Sequence, residues 1–347
     1  MKLAIHKNKG SFSERWIVFC ERNNIKYKIV DCYSSNIIEE LHDCEALLWN
    51  WNNTDHKAML FARQLIYSIE QEGKQVFPNA KTCWHYDDKI GQKYLLESLS
   101  LPFIKTDIFY DQESAREWIS KATFPKVFKL SGGAGASNVK LVNDKAEAYK
   151  LLKKSFGRGF PAVNRISKLK DYYNAWKRNK TLETFIIFMR SIVRVFIPST
   201  FEKIKGRERG YIYFQEFIPN NDFDIRIITV GNKAFGIKRM TRDGDFRASG
   251  SGLILYDKKE IDERCVQIAF EASKAMETQC TAYDFVFDKN NNPLIIEISY
   301  AFLMTAYDKC EGYWDDSLTW HSGEFNPENW MIENIIENIK LGKKRVD

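Results

Sequence analysis

The chain has 347 residues, of which 44% are hydrophobic and 28% charged, with a net charge of +6. That length suits two or three fused lobes, and the composition argues against a disordered chain. Seven scattered cysteines with no CxxC pair argue against a zinc site or a disulfide framework and fit a reducing cytoplasm.

From Met1 to Ile5 the chain runs straight into a strand-like segment, so no secretory signal is expected. Likewise, no uninterrupted apolar run reaches the roughly 18 to 20 residues a membrane span requires. KLAIH (2–6), YKIVDCY (27–33), EALLWNW (45–51) and KQVFP (74–78) read as short strands. Residues 13–24, 35–43 and 56–73 lie between them with helical spacing, and Gly73 is a stop signal. Strands alternating with helices predict a small parallel α/β domain over residues 1–84. No GxGxxG follows the first strand, so a dinucleotide site has no support.

A second unit, 85–210, opens on a predicted helix, DDKIGQKYLLESLS (87–100), with Asp87 as its cap. LPFIKTDIFY then reads as a strand, SAREWISKA as a helix, and FPKVFKLS (124–131) as a strand entering the loop GGAGAS (132–137). NVKLV and KAEAYKLLKKSF follow as a strand and a helix. Between Lys150 and Gly210 stand 16 Lys/Arg against 4 Asp/Glu, an excess of +12, which leaves the rest of the chain at −6. A basic excess of this kind points to an anionic partner. No nucleic-acid motif accompanies it, which argues against nucleic acid. Within this segment TFIIFMRSIVRVFIP (184–198) is expected to pack inside an enlarged lid; the other reading is a helix lying on a membrane surface.

The third unit, 211–347, holds the strand-like runs YIYFQEFI, DIRIITVG and KAFGIKRM, then a helix over 262–277. TAYDFVFD (281–288) and PLIIEIS (293–299) flank a turn of hairpin composition. Because strand side chains alternate, Glu297 and Ser299 share a face, and pairing of the two strands would set Asp284 beside Glu297. Two hard carboxylates on a rigid scaffold suit Mg²⁺ held between phosphates; solvent-facing acids on an edge hairpin are the other reading. Lys129 directly precedes the loop SGGAGAS, whose glycines allow backbone N–H groups to approach phosphate oxygens. The tail 309–331 is rich in aromatic residues, which suit sugar rings or the packing of a C-terminal helix; His321 within it is a candidate base or a structural residue.

In order, the chain shows DDK (87–89), PKVFKLSGGAGASNV (125–139), QEFI (215–218), DIR (224–226), GIKR (236–239), FRASGSG (246–252), YDF (283–285) and IIEIS (295–299). These eight segments resemble the ATP-grasp ligases, most closely the branch of ribosomal-protein glutamate ligases and glutathione synthetases, over roughly 85–300. The resemblance implies an α+β grasp of two lobes after a small parallel α/β domain, with 125–210 as the lid. It implies that Lys89 and Lys129 contact ATP phosphates beneath a loop containing Gly132, Gly133, Gly135 and Ser137. Gln215, Glu216 and Ile218 would frame the adenine, and Asp224 would lie at the ribose and phosphate side. Asp284 and Glu297 would hold Mg²⁺, or Mn²⁺ as an alternative, with Ser299 standing where the family usually has an asparagine ligand. Arg226, Arg239 and Arg247 would surround the transferred phosphoryl group, since planar guanidinium forks suit oxyanions.

The implied activity is ADP-forming ligation of a carboxylate to an amine through an acyl phosphate. An anionic glycan of surface-polysaccharide synthesis or an acidic peptide would be the substrate, in the cytoplasm or at the inner face of the membrane. A kinase acting on a hydroxyl and an ATP-binding regulator without turnover are the alternatives, and the sequence leaves the oligomeric state open.

Overall fold

Runs rich in Val, Ile, Leu and aromatic residues, each bounded by a turn or helix signal, build three sheets of four or more strands among the described residues, beside a two-stranded pair. A computed structural model describes residues 1–133, 138–241, 246–248 and 252–344. Gly135 and Ser137, expected in the glycine-rich loop, lie outside the described residues. Two compact units emerge: one comprises 1–86, 94–103 and 220–347, the other 87–93 and 104–219.

The first unit opens with β1 (Leu3–His6), α1 (Ser13–Arg22), β2 (Tyr27–Val30), α2 (Ile37–Glu40), β3 (Ala46–Leu48), α3 (His56–Gln71), β4 (Gln75–Phe77) and α4 (Ala80–Cys83). The strands are parallel in the order β2-β1-β3-β4. Crossover helices cover both faces of such a sheet, which is why β1 and β3 are buried along their whole length. Leu3, Ile5, Ala46 and Leu48 point into one core, while Ala4 and Leu47 point into the other.

The second unit begins with α5 (Lys89–Ser98), a helix whose later residues belong to the first. It continues through β5 (Thr106–Phe109), α6 (Gln112–Lys121), β6 (Lys126–Lys129), β7 (Lys140–Val142), α7 (Lys145–Ser155) and β8 (Phe160–Pro161). Next come α8 (Arg165–Asn179), α9 (Leu182–Phe196), α10 (Thr200–Lys205), β9 (Arg207–Glu208) and β10 (Ile212–Glu216). Its antiparallel sheet runs β5-β10-β6-β7, with Phe128, Leu130, Ile212 and Phe214 packed onto α6 and α7 residues such as Ile119 and Leu152. The expected strand from Leu101 is cut short: Pro102 carbonyl instead accepts the Ile295 N–H at 2.8 Å, and β5 starts at Thr106.

The expectation that 184–198 packs inside a lid is overturned. In α9 only Ser191 is buried, and the helix leans on α8 through aromatic contacts such as Trp176 stacked on Phe188. Its outer apolar residues, among them Leu182, Val193 and Phe196, are exposed among the described residues.

The first unit resumes with β11 (Phe223–Val230), β12 (Lys233–Met240), β13 (Ile254–Leu255), α11 (Glu263–Met276), β14 (Cys280–Phe287), β15 (Pro293–Ser299), β16 (Gly312–Asp315), β17 (Trp320–Ser322) and α12 (Pro327–Lys344). The antiparallel order is β15-β14-β11-β12-β16-β17, with β13 also paired to β12. Strand alternation decides its two faces. Ile225, Ile227, Tyr283, Phe285 and Ile298 pack on α11, whereas Ile228, Val230, Phe235, Ile237 and Ala282 join a core with Leu3, Ile5 and the α12 residues Met331 and Ile335. The second face turns from apolar to charged at its other end, and the charged end carries the candidate metal residues.

Candidate active site

Antiparallel register assembles that charged end. Asp284 faces Glu297 across β14 and β15, Arg226 faces Asp284 across β11 and β14, and Asp224 faces Arg239 across β11 and β12. Ser299 lies two residues beyond Glu297, opposite Ala282. The ladder slips between Asp284 and Phe285, so Phe285 pairs with Ile295. A bulge at this point re-aims neighbouring side chains beside the acids, and pairing then continues in the shifted register to Phe287.

Both oxygens of Asp284 are taken by Arg226, through Nε and through Nη2 at 2.7 Å. Arg239 grips Asp224 with Nε and Nη2, each at 2.6 Å, and also reaches Asp284 at 3.0 Å. Burial favours the neutral form of Asp284, but the charges of Arg226 and Arg239 outweigh it and hold the carboxyl well below the usual range. For Asp224 burial wins, and its carboxyl titrates above the ordinary value despite Arg239. Burial pulls Arg226 down, yet the Asp284 charge leaves it more firmly protonated than a free guanidinium. Burial likewise raises the Tyr307 phenol, against the opposing charges of Arg226 and Arg239. Sequence reasoning missed Tyr307; its only signal was the aromatic tail that follows β15.

The donor set fits a hard divalent ion. Mg²⁺ takes one or two protein carboxylates and completes its shell with phosphate and water oxygens, and Asp284 with Glu297 supplies that number. Among the described residues no group of three His, Cys, Asp or Glu side chains forms an all-protein cage. The Ser299 hydroxyl donates to the Ala301 carbonyl at 3.0 Å and accepts from the Ala301 N–H, so a local turn occupies it.

In the second unit the DDK and glycine segments are knitted together. Asp88, rather than the expected Asp87, caps α5, its Oδ1 accepting the N–H groups of Ile90 and Gly91. Asp87, at φ +55°, instead accepts the Gly133 N–H at 2.7 Å. An Asx cap accepts from N–H groups two and three residues on, which Asp88 does, while Asp87 is drawn to the glycine loop. Lys89 is buried and its Nζ donates to the Gly133 carbonyl at 3.0 Å. Ser131 donates to Asp88 through its hydroxyl and to Tyr211 Oη through its N–H; Tyr211 in turn donates to Glu208. Gly133 has φ +118°, a conformation that favours glycine. Gly132 is buried close to Asp87, Glu208 and Lys205.

Lys129 is buried at the end of β6, opposite Tyr213. Gln215 is buried on β10, its amide donating to Thr106 Oγ1 at 3.3 Å. The Glu216 side chain is paired with Lys126, and its N–H donates to the Lys105 carbonyl. Ile218 follows the strand and is half-buried. Arg247 is half-buried in the segment between β12 and β13 and belongs to no helix or strand. His321 is hydrogen-bonded to Asp315 at 2.7 Å and stacked on Tyr313 across the β16–β17 hairpin.

Beside a parallel α/β domain, a small antiparallel sheet with a glycine loop, and a larger sheet bearing paired acids and arginines, the comparisons of this chain with known proteins fall on one class: residues 192–312, about a third of the chain, match the RimK-like ATP-grasp domain. It is similar to the alpha-aminoadipate–LysW ligase LysX of Saccharolobus solfataricus, at 22% identity over 92% of this chain and 96% of that one. Among solved structures it resembles a RimK domain ATP-grasp protein from Sphaerobacter thermophilus, at 14% identity and a TM-score of 0.54, covering 97% of this chain and 99% of that one. It also resembles the D-alanine–D-alanine ligase of Bacillus anthracis complexed with ATP, at 13% identity and a TM-score of 0.56, covering 99% of each chain.

Proposed function

We propose that the protein is an ADP-forming carboxylate–amine ligase that binds Mg-ATP, with the domain order 1–84 pre-grasp, 85–210 lid lobe and 211–347 core lobe. The observation that carries this reading is Asp284 set opposite Glu297, with Arg226 and Arg239 gathered on the same carboxylate. Asp284 and Glu297 hold the Mg²⁺, with or without the occupied Ser299. Bound there, the ion neutralises phosphate charge as the γ-phosphoryl group is transferred. Lys89 and Lys129 take phosphate oxygens, helped by Gly132, Gly133, Gly135 and Ser137. Gln215, Glu216 and Ile218 border the adenine, and Asp224 positions Arg239. Arg226, Arg239 and Arg247 supply fixed positive charge to the phosphoryl and acyl oxygens.

In the proposed reaction a substrate carboxylate oxygen bonds to the γ-phosphorus and the bond to the ADP oxygen breaks. An amine nitrogen then adds to the acyl carbon, and phosphate leaves with the electron pair. The acid substrate is an anionic glycan or peptide, a reading supported by the basic stretch 150–210. We place the reaction in the cytoplasm, at the inner face of the membrane. A second reading, phosphoryl transfer to a hydroxyl, is favoured by Ser299 in place of an amide ligand; a third is nucleotide binding without turnover. Incubation with Mg-ATP, candidate acids and hydroxylamine separates them. Hydroxamate with ADP and phosphate supports the ligase, a stable phosphorylated product supports the kinase, and binding without turnover overturns both.

A further inference from the structure

The helical hairpin of α8 and α9 is built to hold its shape by itself. Thr181 caps α9 by accepting the Thr184 N–H at 3.2 Å. Arg165 pins the far end, donating to the Val195 carbonyl at 2.9 Å and pairing with Glu202. Tyr173, Trp176, Phe185 and Phe188 fill the seam between the helices. Beside that seam on α9 lie Leu182, Ile186, Met189, Val193 and Phe196, which at 100° per residue fall within a stripe about 80° wide.

That stripe faces outward. Leu182 is 74% exposed, Val193 57% and Phe196 81%, with Ile186 and Met189 also exposed. A soluble surface helix ordinarily turns polar residues outward, and a contiguous apolar patch of this kind marks an interaction surface. Arg190 and Arg194, spaced i, i+4, edge the stripe along one side. Lys168, Lys170, Lys177, Arg178 and Lys180 are exposed on and after α8. From Arg165 to Lys205 there are 10 Lys/Arg against 3 Asp/Glu.

We propose that this hairpin seats the protein on an anionic lipid bilayer, with the α9 stripe sunk to the level of the acyl chains and the basic residues among the headgroups. Apolar side chains with a basic border are the composition of a helix that lies in the interface plane. By length and composition alone the run Leu182–Lys205 could cross a membrane, but the break within it favours a helix lying in the interface. Fifteen residues of α9 extend about 22 Å against a hydrocarbon core of about 30 Å. The helix then ends at an extended Ile197 followed by Pro198, so α10 does not prolong it. Charge also disfavours a second copy as the occupant, since two such stripes would bring like-charged borders together. This inference rests on the cytoplasmic placement above and is independent of the reaction proposed there.

Vesicle flotation tests it, using phosphatidylcholine vesicles with and without phosphatidylglycerol. The wild-type protein is expected to float with the anionic vesicles only and to be released by salt. Met189→Asp/Val193→Asp should lose flotation by more than tenfold, and Arg190→Glu/Arg194→Glu by about thirtyfold. Leu60→Asp, an equally exposed position on α3, should float as the wild type does. Circular dichroism checks that each variant is folded, and hydroxamate formation from a soluble acid should persist in all of them. Wild type remaining in the supernatant, or undiminished flotation of the Met189→Asp/Val193→Asp variant, overturns the proposal. So does sedimentation showing a wild-type dimer that this variant converts to monomer.

Discussion

Glu297 stands directly opposite Asp284 across two antiparallel strands, and the ladder slips by one residue immediately after that pair. The bulge means that the two carboxylates are the last pair before a one-residue shift, after which pairing resumes from Phe285 to Phe287. Asp284 enters this pairing already bound by two arginines, while Glu297 comes from the strand beyond. The two acids should therefore respond differently to substitution.

Glu297→Gln is expected to leave the fold intact and to lower turnover by roughly 10²- to 10³-fold, since it removes a proposed metal ligand. Raising Mg²⁺ should recover part of the loss. The check is steady-state ADP release against Mg²⁺ concentration, with urea unfolding alongside; an unchanged Mg²⁺ dependence would remove Glu297 from the site.

Arg239→Ala is expected to destabilise the protein by about 3–5 kcal/mol, because buried Asp224 would lose the guanidinium that grips it, while Asp284 would keep Arg226. A variant changed at both Arg239 and Asp224, to Met and Leu, should recover much of that stability without recovering turnover. Urea denaturation and ATP hydrolysis, measured on both proteins, separate the structural part of Arg239 from its part in the reaction.

Gly133→Ala forces a Cβ onto a backbone at φ +118°, a strain of about 1–3 kcal/mol. The residue also receives Lys89 on its carbonyl and gives its N–H to Asp87, so relief of that strain would displace both. The expected result is weaker ATP binding, by about tenfold, with the thermal midpoint little changed. Isothermal titration with a non-hydrolysable ATP analogue measures it.

His6 predicts a pH effect outside the candidate site. Its Nδ1 accepts the Cys32 N–H at 3.0 Å, and burial lowers its pKa against the opposing pull of Asp31. The native state therefore binds fewer protons than the unfolded chain, whose histidine titrates near 6.5. Stability is full above about pH 6.5 and falls as pH drops below it toward the folded value. Unfolding free energies at pH 5 and pH 7.5 should differ in the wild type, and His6→Asn should shrink the difference.

Much of this was legible in the chain itself, and for one reason: period-2 and period-3.6 patterns, turn residues and short motifs are local. The parallel order of residues 1–84, the strand before the glycine loop and the hairpin that sets Asp284 beside Glu297 all follow from neighbours in sequence. The folded chain alone decided three things. Arg226 and Arg239 meet Asp284 and Asp224 because β11 and β12 insert beside β14, a pairing separated by some 58 residues and invisible to any periodicity. Asp88 rather than Asp87 caps α5 because the glycine loop returns to claim the Asp87 carboxylate. The apolar length of α9 could be counted in the sequence, but whether it is covered depends on what else reaches it, and beside α8 its outer stripe stays exposed among the described residues. Local chemistry is written along the chain, whereas burial and charge pairing depend on distant segments coming together.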